Sequence, residues 1–143
     1  KGLSESIHHF TKNKSKKLLS ICIGMQVLFE YGKENGTVKG LNIFPGHVDK
    51  NINGLNIGYK SIETKSSVKN LDLRNSLSKG KFYFTHGYHI NTFYEFDTIS
   101  FSTNQDERYC AFFKKDNIFG CQFHPELSGE IGINLLKLIF NYE

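Results

Sequence analysis

The spacing of apolar residues near the N-terminus predicts a strand that is followed at once by a helix. Leu18–Ile21 form a short apolar run typical of a buried strand, and residues 25–29 carry the apolar spacing of a helix start. Residues 4–10 could form the end of an earlier helix. Cys22 therefore falls on the turn between strand and helix, and a sharp turn of this kind lifts a side chain out of the sheet.

Beyond Gly40 the pattern changes to short apolar runs between turns, such as Ile43-Phe44, which predicts strands and hairpins. The strand signal then continues in four segments, at residues 82–84, 98–103, 109–113 and 118–123. Residues 115–117 are predicted as a hairpin turn. Ser128 is predicted to cap a last helix, in which apolar residues recur at helical spacing. This mixture of strands and helices indicates an α/β fold.

Composition fits one ordinary globular domain and narrows the possible partners. The chain has 143 residues, of which 38% are hydrophobic, so it can bury a core. It has no apolar run long enough to cross a membrane and no secretory signal, and we therefore expect a cytoplasmic protein without a membrane partner. The net charge of +4 comes mainly from scattered lysines. Because a nucleic-acid site would interleave arginines with aromatic residues, and arginine occurs at Arg74 and Arg108 only, we expect no nucleic-acid partner.

Cys22 has two interpretations, as a nucleophile or as a small buried hydrophobic residue. A helix N-terminus beside it, with unpaired N–H groups and the positive end of the helix dipole, would favour thiolate over thiol. Gly24 has no Cβ, which would let a substrate approach the turn closely. The turn by itself leaves both interpretations open.

A second stretch near the C-terminus favours the nucleophile. Residues two apart in an extended segment point the same way, so His124 and Glu126 can lie on one face. Pro125 disfavours the helical region for His124 and supports that extended geometry. A thiol, an imidazole that deprotonates it and a carboxylate that orients the imidazole form a catalytic triad. We therefore predict Cys22, His124 and Glu126 as the catalytic residues.

These two motifs carry a family resemblance. Cys-x-Gly-x-Gln at residues 22–26, followed by Phe-His-Pro-Glu at residues 123–126, resembles the class I, triad-type glutamine amidotransferases. Enzymes of that family hydrolyse glutamine to glutamate and pass ammonia to a partner. Within it, the chain is most similar to the glutaminase subunits of imidazole glycerol phosphate synthase, which act in histidine biosynthesis. Further matching segments lie at residues 28–30, 40–48, 56–59 and 83–88.

The resemblance implies a flavodoxin-like α/β fold, glutamine as substrate, an ammonia-accepting cyclase barrel as partner, and no metal or organic cofactor. It assigns the backbone N–H of Ile23 to one half of the oxyanion hole. It places Glu34 and Gln26 at the glutamine amino group, although Glu34 on its own would be interpreted as a solvated charge in a glycine-rich loop. The backbone of Gly87 and Tyr88 would receive the glutamine carboxylate.

The same resemblance bears on the extent of the domain. The family places about two strand–helix units before the Cys22 turn, which at ~30 residues each is on the order of sixty residues. That region carries the glycine-rich loop with the other half of the oxyanion hole. We therefore expect residues 1–143 to form a single amidotransferase domain that lacks its N-terminal strand–helix units.

Two departures from the histidine-pathway subunits leave the partner open. Those subunits usually have His-x-Gly-Trp-Asn where this chain has Asn-Ile-Gly-Tyr-Lys at residues 56–60, and a lysine where it has Leu127. Both positions lie toward the synthase in the family, so Tyr59 is predicted at the partner interface. An alternative is an amidotransferase that supplies ammonia to an enzyme modifying a bacterial surface sugar. A non-catalytic scaffold homologue is a third possibility, which the intact triad disfavours.

The remaining histidines and cysteines are expected to have structural roles. His86 and His89 are three apart in a predicted strand, hence on opposite faces, so a metal site is not expected. Cys110 and Cys121 lie equally far from the predicted hairpin turn and could face each other. In a reducing cytoplasm we expect two buried hydrophobic residues rather than a disulfide.

Overall fold

A mixed five-stranded sheet is the centre of the molecule in a computed structural model that describes residues 2–65, 68 and 70–141. The helices within these residues are α1 (Gly2–Lys12), α2 (Ile23–Gln26), α3 (Leu71–Ser78) and α4 (Gly129–Phe140), with a 3₁₀ helix at Pro125–Leu127. The strands are β1 (Leu18–Ile21), β2 (Tyr31–Gly32), β3 (Val38–Lys39), β4 (His47–Lys50), β5 (Asn56–Ser61), β6 (Glu63–Thr64), β7 (Lys81–His86), β8 (Tyr88–Asn91), β9 (Thr98–Asn104), β10 (Glu107–Lys115) and β11 (Ile118–Cys121). Every described helix is too short or too polar to cross a lipid bilayer.

Strand pairing brings the two sequence motifs to one edge of the central sheet. Within the described residues, this sheet has the order β1-β11-β10-β9-β6, and further pairing joins β3-β2-β4-β8 and β5-β7. β1 and β11 run parallel, with Ile21 opposite Cys121, whereas the other neighbours in the central sheet are antiparallel. Since parallel neighbours end at the same edge of a sheet, the residues that follow Ile21 and Cys121 meet there.

Two hydrophobic cores lie on opposite faces of the central sheet. Phe112 of β10 is buried in the core that includes side chains of α3 and α4, and its neighbour Phe113 is buried in the core with Phe29 and Phe44. A β-bulge between Cys110 and Phe112 shifts the alternation of side chains in β10. Burial of a phenylalanine side chain contributes roughly 1.5–3 kcal/mol, so these rings hold the sheet between its two layers.

Most of the predicted elements are confirmed. β1 spans the predicted residues, and the segments at 82–84, 98–103 and 109–113 fall inside β7, β9 and β10. The predicted hairpin turn joins β10 to β11, where Lys115 pairs with Ile118 and Asp116 has a φ of 51°. α1 and α4 occupy the two segments predicted as the first and last helices.

Two predictions in the first half of the chain are wrong. The helix start expected over residues 25–29 is a single turn that ends at Gln26, and Ile43-Phe44 form a bend rather than a strand. The Leu28 carbonyl accepts hydrogen bonds from the N–H groups of Ile43 (2.8 Å) and Phe44 (3.1 Å), so it is not available to a helical ladder. Leu28 and Phe44 are buried in the same core. Apolar spacing therefore indicated burial here, but not the type of element.

Candidate active site

Cys22 lies on a strained turn at the end of β1. Its φ of 51° and ψ of −113° fall outside the regions that residues with a side chain normally occupy. The surrounding backbone enforces this turn, because the Cys22 N–H donates to the Cys121 carbonyl (2.7 Å) and the Cys22 carbonyl accepts from the Gln26 N–H (3.2 Å). Strain of this kind costs about 1–3 kcal/mol and is concentrated at functional sites. The predicted position of Cys22 between strand and helix is confirmed.

The Cys22 thiol is half-buried and bonded to polar groups. It donates to the Thr85 carbonyl at 3.8 Å, and the Gln122 side-chain amide donates to the sulfur at 3.8 Å. Burial is the largest influence and raises the pKa of the Cys22 thiol. The Ile23 backbone N–H and the Gln122 amide lower that pKa, and the Glu126 carboxylate raises it further. Burial outweighs the Ile23 N–H of the one-turn helix α2, so this thiol needs a base to become a thiolate nucleophile.

His124 and Glu126 form a hydrogen-bonded pair just beyond β11. The distance from His124 Nδ1 to Glu126 Oε1 is 2.6 Å. β11 ends at Cys121, before the predicted end of this strand, and Glu126 lies in the 3₁₀ helix rather than in an extended segment, because Pro125 starts that helix. His124 itself is extended, with a φ of −101° and a ψ of 94°. With a proton on Nδ1 facing the carboxylate, Nε2 is the ring atom that can accept a proton.

The predicted catalytic residues share one edge of the sheet, but they are not all in contact. Cys22 follows β1 and His124 lies just beyond β11, the parallel neighbour of β1. In the described part of the chain no hydrogen bond joins the Cys22 thiol to His124, since the thiol is bonded to Thr85 and Gln122. The Glu126 carboxylate is close enough for its charge to raise the pKa of Cys22. In this structure the thiol of Cys22 therefore donates to the Thr85 carbonyl and not to His124.

Hydrogen bonds of the Gln26 and Gln122 side chains connect α2 to the neighbouring strands. The Gln26 side-chain nitrogen donates to the Tyr88 carbonyl (2.8 Å) and to the Gln122 side-chain oxygen (3.1 Å). Both hydrogens of that nitrogen are used inside the protein, so it has no donor left for a ligand. The sequence motifs did not predict a role for Gln122. Its position between a strand end and the Phe-His-Pro-Glu motif could have indicated that it lies at the site.

A cavity of about 270 Å³ opens beside the Cys22 turn. Three of the residues that the family resemblance assigns to glutamine, namely Gln26, Glu34 and Tyr88, line it together with Ile23. Glu34 is exposed in the loop that follows β2. The cavity therefore extends from the loop that carries Glu34 to Ile23, the residue after Cys22, while Cys22 itself is not part of its lining.

Gly24 and Gly87 leave space next to this site. A Cβ added at Gly24 would first meet the Ser20 Cβ at 3.9 Å, and one added at Gly87 would first meet the Leu55 Cδ1 at 3.9 Å. Both distances are ordinary van der Waals contacts. Packing within the described residues therefore requires a glycine at neither position, and a side chain here would extend only into open space.

Comparison with known families decides the class of this protein. The family model for class-I glutamine amidotransferases matches residues 2–140. The chain belongs to this family. The resemblance carried by its Cys-x-Gly-x-Gln and Phe-His-Pro-Glu motifs is thereby confirmed.

Relatives of this amidotransferase include imidazole glycerol phosphate synthase subunits named HisH. The one from Methanocaldococcus jannaschii is 35% identical over 139 residues, which cover 94% of this chain and 68% of the relative. The one from Caldanaerobacter subterraneus subsp. tengcongensis is 38% identical over 137 residues, with 95% and 66% covered. The chloroplastic imidazole glycerol phosphate synthase hisHF of Arabidopsis thaliana is 32% identical over 142 residues, with 95% and 23% covered. The chain thus spans about two thirds of these HisH subunits and about a quarter of the hisHF protein.

The fold of this amidotransferase also matches a solved structure. The crystal structure of a glutamine amidotransferase from Thermotoga maritima gives a TM-score of 0.58, covering 94% of this chain and 50% of that one. At 17% sequence identity this likeness shows a shared fold. The predicted class I amidotransferase fold is confirmed.

Tyr59 of this amidotransferase lies on an exposed apolar surface beside the hydrogen-bonded pair of His124 and Glu126. The residue is 58% exposed, and its hydroxyl donates to the carbonyl of Leu127, the residue after Glu126, at 3.0 Å. Ile57 and Leu127 are more than half exposed as well. The Tyr83 ring packs edge-on against the Tyr59 ring, with centroids 5.3 Å apart. We call the surface of Ile57, Tyr59 and Leu127 the apolar rim.

His86 and His89 pack around a buried asparagine. His86 ends β7 and His89 lies in β8, so the prediction that they occupy opposite faces of one strand is wrong. Asn51 Nδ2 donates to the His86 carbonyl (2.9 Å), and Asn51 Oδ1 lies 2.9 Å from His89 Nδ1. Burial lowers the pKa of His86 to about 4, which keeps its ring neutral. Among the described residues, no group of three or more His, Cys, Asp or Glu side chains is arranged to hold a metal ion.

Cys110 and Cys121 are buried free thiols, as predicted. Cys121 pairs with Phe112 across the β10–β11 ladder, whereas Cys110 pairs with Phe101 of β9, so the two cysteines are not directly opposed. Burial raises the pKa of Cys110 to about 12. It also raises the pKa of Cys121, which makes both residues poor nucleophiles.

Proposed function

We propose that this protein is the glutaminase subunit of an imidazole glycerol phosphate synthase. It hydrolyses glutamine to glutamate and ammonia, and the ammonia passes to a cyclase partner in histidine biosynthesis. The observation that carries the proposal is the placement of Cys22, on a strained turn, at the same sheet edge as the 2.6 Å pair of His124 and Glu126. The names of the HisH relatives support the pathway.

The first half of the reaction forms a thioester. His124 Nε2 accepts the thiol proton of Cys22, and the sulfur attacks the side-chain amide carbon of glutamine. The Ile23 N–H donates to the oxygen that becomes negatively charged, as one donor of an oxyanion hole. The proton on His124 then passes to the leaving nitrogen, and the C–N bond breaks to release ammonia.

The second half releases glutamate. His124 takes a proton from water, the water oxygen adds to the thioester carbon, and the C–S bond breaks. The proton passes from His124 to the sulfur, which restores the thiol. Glu126 accepts the Nδ1–H of His124 throughout and so keeps Nε2 directed at the reacting atoms. These steps need no metal or organic cofactor.

Glutamine binds in the cavity of about 270 Å³. This volume suits an amino acid, since the pockets that bind larger, drug-sized ligands measure roughly 300–1,000 Å³. The exposed Glu34 carboxylate binds the ammonium group of glutamine, and the backbone of Gly87 and Tyr88 binds its carboxylate. Gln26 also lines this cavity and contacts the ammonium group through its side-chain oxygen, while its amide nitrogen holds the Tyr88 carbonyl at 2.8 Å. Gly24 leaves space at the neighbouring Cys22 turn.

The cyclase barrel docks on the apolar rim. An exposed aromatic ring is a favoured anchor at protein interfaces, and Tyr59 supplies one. The rim adjoins the 3₁₀ helix that carries Glu126, so a partner seated there covers the catalytic edge, where ammonia is released. The two subunits form a cytoplasmic heterodimer.

The alternatives have less support. The HisH names favour histidine biosynthesis over an amidotransferase that serves surface sugars. The presence of Cys22, His124 and Glu126 disfavours a non-catalytic scaffold.

Glutamate release by the full-length protein tests the proposal. Adding the cyclase barrel with its phosphoribosyl ligand should raise the rate markedly, because a partner that binds the active state better shifts the protein toward it. A rate that ignores the barrel but responds to a sugar-amidating enzyme would replace the histidine-pathway assignment. Absence of glutamate release under all these conditions would reject the assignment of glutaminase activity.

A further inference from the structure

Ser128 occupies the N-cap position of α4 without capping it. An N-cap serine normally has an extended backbone, and its hydroxyl accepts a hydrogen bond from the second or third N–H of the helix. Ser128 has a φ of −101° and a ψ of 19°, and in the described structure its hydroxyl makes no capping bond. Gly129 and Glu130 in the first turn are exposed, so water can satisfy their N–H groups. The sequence prediction is thus right about the position of Ser128 and wrong about its hydrogen bond.

The Ser128 hydroxyl is bonded instead to the segment that carries His124. Its oxygen donates to the His124 carbonyl (2.6 Å) and accepts from the Tyr83 N–H (3.0 Å). The His124 N–H in turn donates to the Tyr83 carbonyl (2.8 Å). Ser128 is 5% exposed, so water competes little for these bonds. The backbone of His124 is therefore held from both sides, by β7 and by Ser128.

His124 depends on this support because β11 has already ended. The ladder of β11 stops at Cys121, and His124 is attached to β7 through an isolated bridge to Tyr83. α4 packs tightly against the same segment, since a Cβ added at Gly132 would overlap the Pro125 carbonyl and lie 2.9 Å from the Ser128 Cβ. Ser128 consequently cannot move away from His124 unless α4 moves as well.

We propose that Ser128 is a positioning residue for His124. Its hydroxyl supplies the shorter of two hydrogen bonds to the His124 carbonyl, the other coming from the Leu127 N–H at 3.1 Å. It thereby helps to fix the direction in which the imidazole leaves the backbone, while Glu126 fixes the rotation of the ring. The assignment rests on the glutaminase function proposed above, in which His124 exchanges protons with Cys22 and glutamine. Displacement of a catalytic group by 1 Å can cost about 10²-fold in rate, so a partly loosened His124 should act mainly on kcat.

Ser128→Ala and Asn70→Ala form a matched pair of variants. Asn70 is the N-cap of α3, and its side chain accepts from the Leu73 N–H (2.8 Å), so its removal deletes a true cap away from the site. In the full-length protein with its synthase, Ser128→Ala should lower kcat on the order of 10-fold and leave KM within about twofold. Asn70→Ala should lower the melting temperature while kcat and KM stay at their original values.

Amide hydrogen exchange tests the same contacts without relying on activity. The N–H groups of Tyr83 and His124 should exchange on the order of 10-fold faster in Ser128→Ala and at unchanged rates in Asn70→Ala. Faster exchange in a protein that never hydrolyses glutamine would reject the proposed function but establish that Ser128 holds the His124 backbone.

Unchanged exchange at Tyr83 and His124, or an unchanged kcat in an active protein, overturns the assignment. If Ser128→Ala does not fold, Ser128→Cys keeps the size of the side chain with a weaker donor and decides the question. A reduced kcat with unchanged KM in Ser128→Cys supports the role, and an unaltered kcat refutes it.

Discussion

The two turns that carry the proposed catalytic residues follow neighbouring parallel strands, yet they are built differently. The Cys22 turn has a φ of 51° and leads into a single turn of helix, whereas His124 has a relaxed φ of −101° and is bonded to β7 and to Ser128. The imidazole already holds its carboxylate partner at 2.6 Å. The thiol donates to the Thr85 carbonyl, and burial raises its pKa.

In the proposed mechanism this difference means that the two turns contribute differently to the reaction. The base, His124, is already positioned, whereas the Cys22 thiol has to rotate toward it. A raised pKa leaves less of the Cys22 thiol as thiolate, which is the reactive nucleophile, so proton transfer to a base accompanies attack in the proposed mechanism. Changes at the Cys22 turn should therefore affect bond formation and strain, and changes at the His124 turn should affect proton transfer.

Replacement of the sulfur should have the largest effect. We expect Cys22→Ala to reduce glutamine hydrolysis on the order of 10³-fold or more, because the covalent intermediate cannot form. Glutamate release would be measured on protein whose fold is verified by circular dichroism. As a control, a chloroketone analogue of glutamine should label Cys22 and spare the buried Cys110 and Cys121. Glutamine turnover by folded Cys22→Ala would exclude the covalent mechanism.

Glu126→Gln should impair proton transfer by His124 but make the Cys22 thiol more reactive. Loss of the carboxylate that orients His124 should lower kcat by about 10²-fold, a typical contribution of general acid–base catalysis. Because the Glu126 charge raises the pKa of Cys22, its removal should lower that pKa and increase the thiolate fraction at a given pH. Alkylation of Cys22 by iodoacetamide at neutral pH should accordingly become faster. Slower alkylation together with slower hydrolysis would mean that Glu126 does not act on the thiol through its charge.

The sequence predicts that the Cys22 and His124 turns lie close together, because the apolar segments and the two motifs that indicate this can be recognised locally in the chain. The apolar segments of β7, β9 and β10 mark strands with buried side chains, the apolar run of β1 marks a half-buried strand, and the two motifs lie just beyond strand ends. The same signal fails at residues 25–29, where buried side chains follow an irregular backbone whose carbonyls bond residues 41–44. Apolar spacing reports that side chains are buried, and hydrogen bonds to distant residues then decide between helix and loop.

The state of the thiol could not be predicted from the Cys22 segment alone. Its φ is enforced in part by a hydrogen bond to the Cys121 carbonyl, and its pKa depends on burial, on the neighbouring Ile23 N–H, and on Glu126 and Gln122. Cys121, Gln122 and Glu126 come from the other end of the chain. Ser128 shows the converse, since its N-cap position follows from local sequence but its hydroxyl is taken by His124.

The open space at Gly24 and Gly87 allows a test of ligand approach to the Cys22 turn. Gly24→Ala and Gly87→Ala should change the free energy of unfolding by no more than about 0.5 kcal/mol, because each new Cβ meets the chain itself at 3.9 Å. If glutamine occupies that space, KM should rise on the order of 10-fold, since a misplaced ligand loses its contacts. Gly120→Ala is the opposite control, because its Cβ would lie 2.5 Å from the Phe113 ring and should destabilise the fold without changing KM. An unchanged KM in both test variants would place the ligand elsewhere.

The smallest expected effect is on the free energy of unfolding and comes from backbone strain. The difference in stability between a glycine and an alanine variant should have opposite signs at the Cys22 and His124 turns. Cys22→Gly should be more stable than Cys22→Ala by about 1 kcal/mol, because relief of about 1–3 kcal/mol of backbone strain exceeds the roughly 0.5–1 kcal/mol entropic cost of glycine. At the relaxed φ of His124 there is no strain to relieve, so His124→Gly should be less stable than His124→Ala by that entropic cost. Urea unfolding of the four full-length variants measures both differences. If glycine is the less stable residue at both positions, the Cys22 turn stores no strain, and the contrast between a strained nucleophile and a relaxed base does not hold.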